Sequence, residues 1–288
     1  MLIPGAFSDL ILRPMTQPIG VFDSGYGGLT IFRELTTRLP QYDYIYLGDN
    51  ARTPYGSRSF EVVYEYTLQA VNKLFSMGCR LVILACNTAS AKALRSIQQR
   101  DLPQIAPERR VLGVIRPSVE LIPEITRSGH VGVLGTNGTV LSESYPLEIA
   151  KIAPESQIKV SQEACPMWVP IVENNEIDTP GAEYFVRKNL DNLFTKDPEI
   201  DTVILGCTHY PLLSHVIRKF LPAHVALLEQ GPVVARKLED YLARHPEIEQ
   251  ACTKKATRQF LTTESVSVFE QLAGFFLGSP LQAVHIHL

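Results

Sequence analysis

The sequence predicts an α/β protein of two pseudo-symmetric domains with mainly parallel sheets, its active site in the cleft between them. Three observations carry that expectation. Short apolar runs alternate with helical patterns almost from end to end, the pattern of a sheet whose strands are joined by crossover helices. Two of the runs end alike: "LVILACNTAS", Leu81 to Ser90, delivers Cys86, and "TVILGCTHYP", Thr202 to Pro211, delivers Cys207. Between the two series lies the charged, proline-containing stretch "RDLPQIAPERR", which reads as a boundary.

In chain order, the leader "MLIPGAFSDLILRPMTQP" has no basic segment ahead of its short apolar run, so neither export nor anchoring is expected of it. The first strands are Ile19 to Phe22, Tyr44 to Leu47 and Leu81 to Ala85. Ahead of the third, Phe60, Val63, Tyr64, Leu68, Val71 and Phe75 recur at helical spacing and Gly78 supplies a stop. A second series follows at Val111 to Ile115, His130 to Gly135, Ile158 to Ser161 and Thr202 to Gly206. The tail adds strands at Val225 to Leu228 and Gln259 to Thr263, with helices at Val233 to Leu242 and Val268 to Leu277.

Composition narrows the function. The 288 residues carry 27 basic and 30 acidic side chains, a net charge of -3, with no like-charge block to grip nucleic acid. A small ligand fits better than a polyanion. No apolar run reaches the roughly 18 residues of a membrane span. The five cysteines are widely spaced, odd in number and without a CxxC pair, which points to a reducing, cytoplasmic setting.

The two matched thiols carry the chemistry. Each is expected where a strand gives way to a helix, the edge at which open α/β sheets bind ligands, and there the helix N-terminus is expected to lower the thiol pKa from about 8.5. His209 lies two residues past Cys207 and can relay its proton. Asp23 ends the first strand and can orient Cys86. The loop "GVFDSGYGG" lacks the third glycine of a dinucleotide fingerprint and the GK[ST] of a phosphate loop, so its glycines are read as letting backbone amides approach a small substrate, with Ser24 adding a hydroxyl. Cys86, Cys207 and His209 lack the close ligand pairs of a structural zinc site, and no metal is expected. Cys79, Cys165 and Cys252 have no matching context and read as buried apolar residues. Two bases in matching positions suit inversion at carbon, one taking a proton from one face and the other returning one to the opposite face.

With "FDSGYGG", "TPYG", "ACNTAS", "ACPMWVPIVE" and "LGCTHYPLL" in this order, the chain from about Pro18 onward resembles the glutamate racemases of the aspartate/glutamate racemase superfamily. The resemblance implies cofactor-independent interconversion of L- and D-glutamate for peptidoglycan synthesis, in a cytoplasmic homodimer. It also implies a C-terminal segment that returns to the first domain: an extension 1–17, a first domain 18–109 plus 230–288, and a second domain 110–229. By motif, Cys86 and Cys207 are the acid/base thiols, Asp23 supports the first, His209 the second, and Glu173 in "VPIVE" supports the histidine, with Glu176 close by in sequence. Substrate contacts implied in the same way are Asp23, Ser24, Tyr55, Gly56, Asn87, Thr88, Thr136, Thr139, Thr208 and His209. Tyr55 could instead be a packing aromatic, and Thr136 and Thr139 could simply cap a helix. Three stretches depart from the family pattern: the leader before Pro18 is longer than the usual start, "GVIRPS" replaces a commoner Pro-Gly-Ala ending, and "LLEQGP" stands where an Asp-Ser pair is frequent. The competing readings are an aspartate racemase, a single-cysteine hydrolase or decarboxylase on the same fold, and a binding or regulatory protein without turnover.

Overall fold

The computed structural model describes residues 17–288. Of the expected N-terminal extension, residues 1–16 lie outside the described residues.

Two all-parallel sheets organise the chain. The first contains β1 (Ile19–Asp23), β2 (Tyr44–Gly48), β3 (Leu81–Leu84), β4 (Arg110–Gly113), β9 (Arg258–Thr262) and β10 (Ala283–His285), in the order β10-β9-β2-β1-β3-β4. The second contains β5 (His130–Gly135), β6 (Lys159–Ala164), β7 (Thr202–Gly206) and β8 (Ala226–Leu228), in the order β6-β5-β7-β8. The pseudo-symmetry is visible in this order: 2-1-3-4 in one sheet is matched by 6-5-7-8 in the other. β1, β2, β3 and β7 are buried at every residue, which is why they read as unbroken apolar runs and not as alternating ones.

Where one strand has its sequence neighbours on opposite sides, the loops at the carboxyl ends diverge and open a crevice. This occurs at β1, between β2 and β3, and at β5, between β6 and β7. The register sets Phe22 beside Leu84 and Gly135 beside Gly206, so the residues that follow emerge side by side at each crevice.

The crossover helix before β3 runs Phe60–Ser76. Ser59 Oγ accepts from Val62 N at 3.3 Å, an N-cap worth about 1 kcal/mol, and the chain leaves the helix through Gly78 at a positive φ of 94°. Among the described residues no helix is long and apolar enough to cross a membrane.

Two expectations change. Val111 to Ile115 is not the first strand of the second series: Arg110–Gly113 pairs with Leu81–Leu84 as the edge of the first sheet, and Ile115 opens the helix Ile115–Val119. The proline-containing stretch that reads as a boundary is a crossover, with Leu102–Ile105 helical and Pro103 in its first turn. Strand β10 was not anticipated from the sequence, because three residues, "AVH", carry no readable period.

Candidate active site

Five strand ends supply the site. Asp23 closes β1; Cys86, Thr136, Cys165 and Cys207 follow within two residues of the ends of β3, β5, β6 and β7. Together with the loop 53–57 and the helix Trp168–Glu173 they enclose a cavity of about 370 Å³ that both sheets line. Its wall includes Asp23, Ser24, Tyr55, Gly56, Cys86, Asn87, Thr88, Thr136, Glu173, Cys207, Thr208 and His209. A larger cavity, of about 800 Å³, lies between helices elsewhere and touches none of the five cysteines. Volume alone favours the larger one; the convergence of thiols, hydroxyls and a buried carboxylate at strand ends favours the smaller.

Cys86 is the N-cap of the helix Asn87–Lys92, its Sγ accepting from Ala89 N at 3.4 Å and lying 3.4 Å from Ser24 Oγ. The expected lowering of its pKa does not occur. Burial, reinforced by the neighbouring Asp23 carboxylate, pushes the thiol up to about 12, and the hydrogen bonds from Ser24 and Ala89 do not offset this. Cys207 is not at an α-helix start: Tyr210–Leu213 forms a tight 3₁₀ turn, and the α-helix begins only at Ser214.

Asp23 is almost wholly buried, and Gly25 N donates to its Oδ2 at 3.0 Å. The loop amides therefore turn inward to this carboxylate. Burial nevertheless raises the Asp23 pKa, against the lowering influence of His209 and of the amides of Gly28, Gly25 and Ser24.

His209 joins the two supporting groups expected on that side. Its Nδ1 is 3.8 Å from Cys207 Sγ, and its Nε2 is 2.9 Å from Glu173 Oε1, at the end of the helix Trp168–Glu173. Burial works to lower its pKa, but hydrogen bonding to Cys207 and to Glu173 prevails and raises it to about 10. Because the folded value is raised, the imidazolium contributes stability in full below its ordinary pKa, and loses it as pH rises through about 10. Glu173→Gln removes one of the raising groups. The alkaline limb of turnover should therefore move to lower pH by about one unit, read from kcat against pH; an unmoved limb would show that the carboxylate does not set the charge on His209.

Two expected contacts sit differently. The Tyr55 ring is buried and lines the cavity, but its hydroxyl donates to Asp49 Oδ2, which also receives Arg52 Nε at 2.7 Å. Thr139 does not line the cavity. It stands behind Thr136, whose Oγ1 accepts from Thr139 N at 3.2 Å as the N-cap of the helix Asn137–Leu141 and reaches across to Thr88 Oγ1 at 3.0 Å. The short hydroxyl row Thr88, Thr136, Thr139 thus spans both sheets, with only its first two members at the cavity.

The wall also contains residues not singled out from the sequence, Thr53, Ser57, Asn137, Val169 and Asn174, and Cys165, which reads from the sequence as a buried apolar residue and is indeed buried, lines it too. For Cys165 the signal was present, since it opens the quoted "ACPMWVPIVE", but an isolated thiol ahead of a proline offered no matched partner. Among the described residues no three His, Cys, Asp or Glu side chains are arranged so that they could hold a metal ion.

Residues 29–238 match the family model described as Asp/Glu/Hydantoin racemase. The chain is 41% identical over 271 residues to a glutamate racemase of Persephonella marina, covering 94% of this chain and 97% of that one. Among solved structures, a glutamate racemase isoform of Bacillus anthracis superposes with a TM-score of 0.85 at 36% identity, covering 95% of this chain and 98% of the other. The glutamate racemase of Francisella tularensis, solved in complex with D-glutamate, gives 0.83 at 32% identity, covering 95% and 97%. The chain belongs to the Asp/Glu/hydantoin racemase family.

Proposed function

We propose that this member of the family is a glutamate racemase that inverts the α-carbon with two thiols and no cofactor, and that D-glutamate for peptidoglycan is its product. The observation that carries the reading is the placement of Cys86 and Cys207 after equivalent strands, β3 and β7, of two sheets with matching strand order, both on the wall of one cavity.

In each direction one sulfur, as thiolate, accepts the α-proton; the electron pair left on carbon delocalises into the α-carboxylate; the opposing thiol then gives its proton to the other face. One thiol and one thiolate have exchanged roles at the end, and the enzyme needs a proton relay to reset. Burial and Asp23 favour Cys86 as the thiol, ready to donate when Cys207 takes the proton of L-glutamate, while His209, ion-paired to Glu173, stands by Cys207 to take or return its proton. Ser24, Asn87, Thr88, Thr136 and Thr208 offer the hydroxyls and amides that hold the substrate carboxylates and amine. The same reading takes the chain as two α/β units acting as a cytoplasmic homodimer on a small-molecule substrate, with no nucleic-acid or membrane partner.

Circular dichroism of the purified protein, dialysed against chelator and given L-glutamate or D-glutamate without additions, tests this directly. Both signals should decay to zero, and neither enantiomer of aspartate should change appreciably. A static glutamate signal, or activity that returns only with an added cofactor, would sink the reading.

A further inference from the structure

The chain crosses between the two sheets twice, once after β4 through Val114 and the helix Ile115–Val119, and once after β8 into the helix Gln230–Arg244. One buried side chain touches both crossings. Gln230 Nε2 lies 3.0 Å from Val114 O and 2.9 Å from Ser118 Oγ, on the first crossing, although Gln230 itself opens the second.

The same amide belongs to a closed circuit. Asn87 Nδ2 donates to Gln230 Oε1 at 2.7 Å, Gln230 Nε2 donates to Tyr145 Oη at 3.0 Å, and the Tyr145 hydroxyl donates to Asn87 Oδ1 at 2.8 Å. Donor counting leaves one consistent arrangement. The single Tyr145 proton goes to Asn87, so its oxygen is free to accept from Gln230; the Ser118 proton goes to Val114 O at 3.1 Å, so that oxygen accepts as well. The two N–H groups of Gln230 then divide among three acceptors. Flipping the Asn87 amide would set its Oδ1 against Gln230 Oε1, and flipping the Gln230 amide would set its Oε1 against Val114 O, acceptor against acceptor in both cases. All four side chains are buried, and an apolar filling of similar volume would avoid the cost of desolvating them. What the polar ring adds is a fixed geometry among four segments: Asn87 from the first unit, Tyr145 from the second, and both crossings. Asn87 is the residue next to Cys86 and lines the cavity.

We propose that Gln230 is a positioning residue for the racemisation: through the Gln230–Tyr145–Asn87 circuit it locks the two inter-sheet crossings to the Cys86 strand end and so sets the alignment of Cys86 with Cys207. The inference rests on the two-thiol reading above. The stretches "GVIRPS" and "LLEQGP" supply Ser118 and Gln230, and the two side chains meet each other.

The test uses the full chain with Gln230→Met, which keeps length and loses the hydrogen bonds, Tyr145→Phe, which removes one hydroxyl, and the double variant. Because the two substituted residues, Gln230 and Tyr145, do not line the cavity and so act only through the alignment they hold, kcat should fall about 10- to 100-fold in both directions, and KM should change less than kcat. The losses should not multiply, the double variant being no slower than the slower single one, since either change opens the same ring. Folded variants with parental kcat, or losses that multiply, overturn the proposal. If Gln230→Met does not fold, Tyr145→Phe decides alone, and parental kcat in it is the overturning result. A parent enzyme that racemises no glutamate overturns the functional reading, and this inference with it.

Discussion

Cys86→Ser and Cys207→Ser each lose racemisation by at least about 10³-fold while both keep the fold, because each removes one of two bases and almost no volume. A serine hydroxyl is far less acidic than a thiol with an ordinary pKa of about 8.5, so at neutral pH it neither accepts nor gives the α-proton at a useful rate. Proton removal from a single face survives in each variant. An analogue of glutamate with a leaving group on the β-carbon needs only that step, since the electron pair released at the α-carbon expels the leaving group without reprotonation. Each variant should therefore still eliminate from one enantiomer, and the two should prefer opposite ones, with Cys86 serving the D form and Cys207 the L form. The surroundings of the sulfurs make this a demanding test. Cys86 is held protonated by burial and Asp23, so in Cys207→Ser its use as a base should show a steeper rise of elimination with pH. Elimination of the same enantiomer by both variants, or racemisation by either at the parental rate, would end the two-base mechanism for this chain.

The strand ends were the legible part of this site. Apolar runs that stop at Asp23, Cys86 and Cys207 announce both the sheet and the edge at which chemistry collects, because a fully buried parallel strand can carry polar groups only where it leaves the sheet. Glu173 was different. It meets His209 across 36 positions of sequence, and nothing local in "VPIVE" reports that contact; only the motif resemblance named it. The acidity of Cys86 was misjudged for a related reason. A helix N-terminus is a local feature and can be read from "CNTAS", but the burial that outweighs it is created by the packing of distant segments. The expectation that Val111 to Ile115 opens the second series, where Arg110–Gly113 instead closes the edge of the first sheet, has a third cause: prolines and charges mark a break in local order, and a crossover between two strands of one sheet breaks order as thoroughly as a linker between units.

The glycine loop after β1 leads to the remaining large effect, Gly27→Ala. From the sequence, Gly25, Gly27 and Gly28 serve to bring backbone amides near a substrate; in the folded chain Gly27 and Gly28 make room for other side chains, Gly27 for His209 and Thr208 and Gly28 for Asp23. A methyl on Gly27 would stand 2.7 Å from His209 Cε1, and closer still to His209 Nδ1 and Thr208 Oγ1, in a site where both residues are buried. The Gly27 backbone has φ of −58°, ordinary for any residue, so the cost is wholly one of contact. His209 cannot retreat without leaving Cys207 at 3.8 Å or Glu173 at 2.9 Å, and Phe276 packs edge-on to its ring with centroids 5.2 Å apart. Overpacking of this kind costs about 1–3 kcal/mol in stability, which a chain of this size can survive, whereas displacing a proton-relaying imidazole by about 1 Å costs on the order of 100-fold in rate. Gly27→Ala should therefore fold and melt only a few degrees lower, and lose about 100-fold in kcat, with proton abstraction at the Cys207 face, followed by solvent deuterium exchange, affected more than at the Cys86 face. Gly25→Ala, in the same loop, is the control: its methyl would meet Thr53 Oγ1 at 3.4 Å and nothing nearer, so the loop can carry it with a far smaller loss. Equal activity of the two alanine variants would show that the tight approach of Gly27 to His209 does not govern the relay, and that the loop serves the substrate after all.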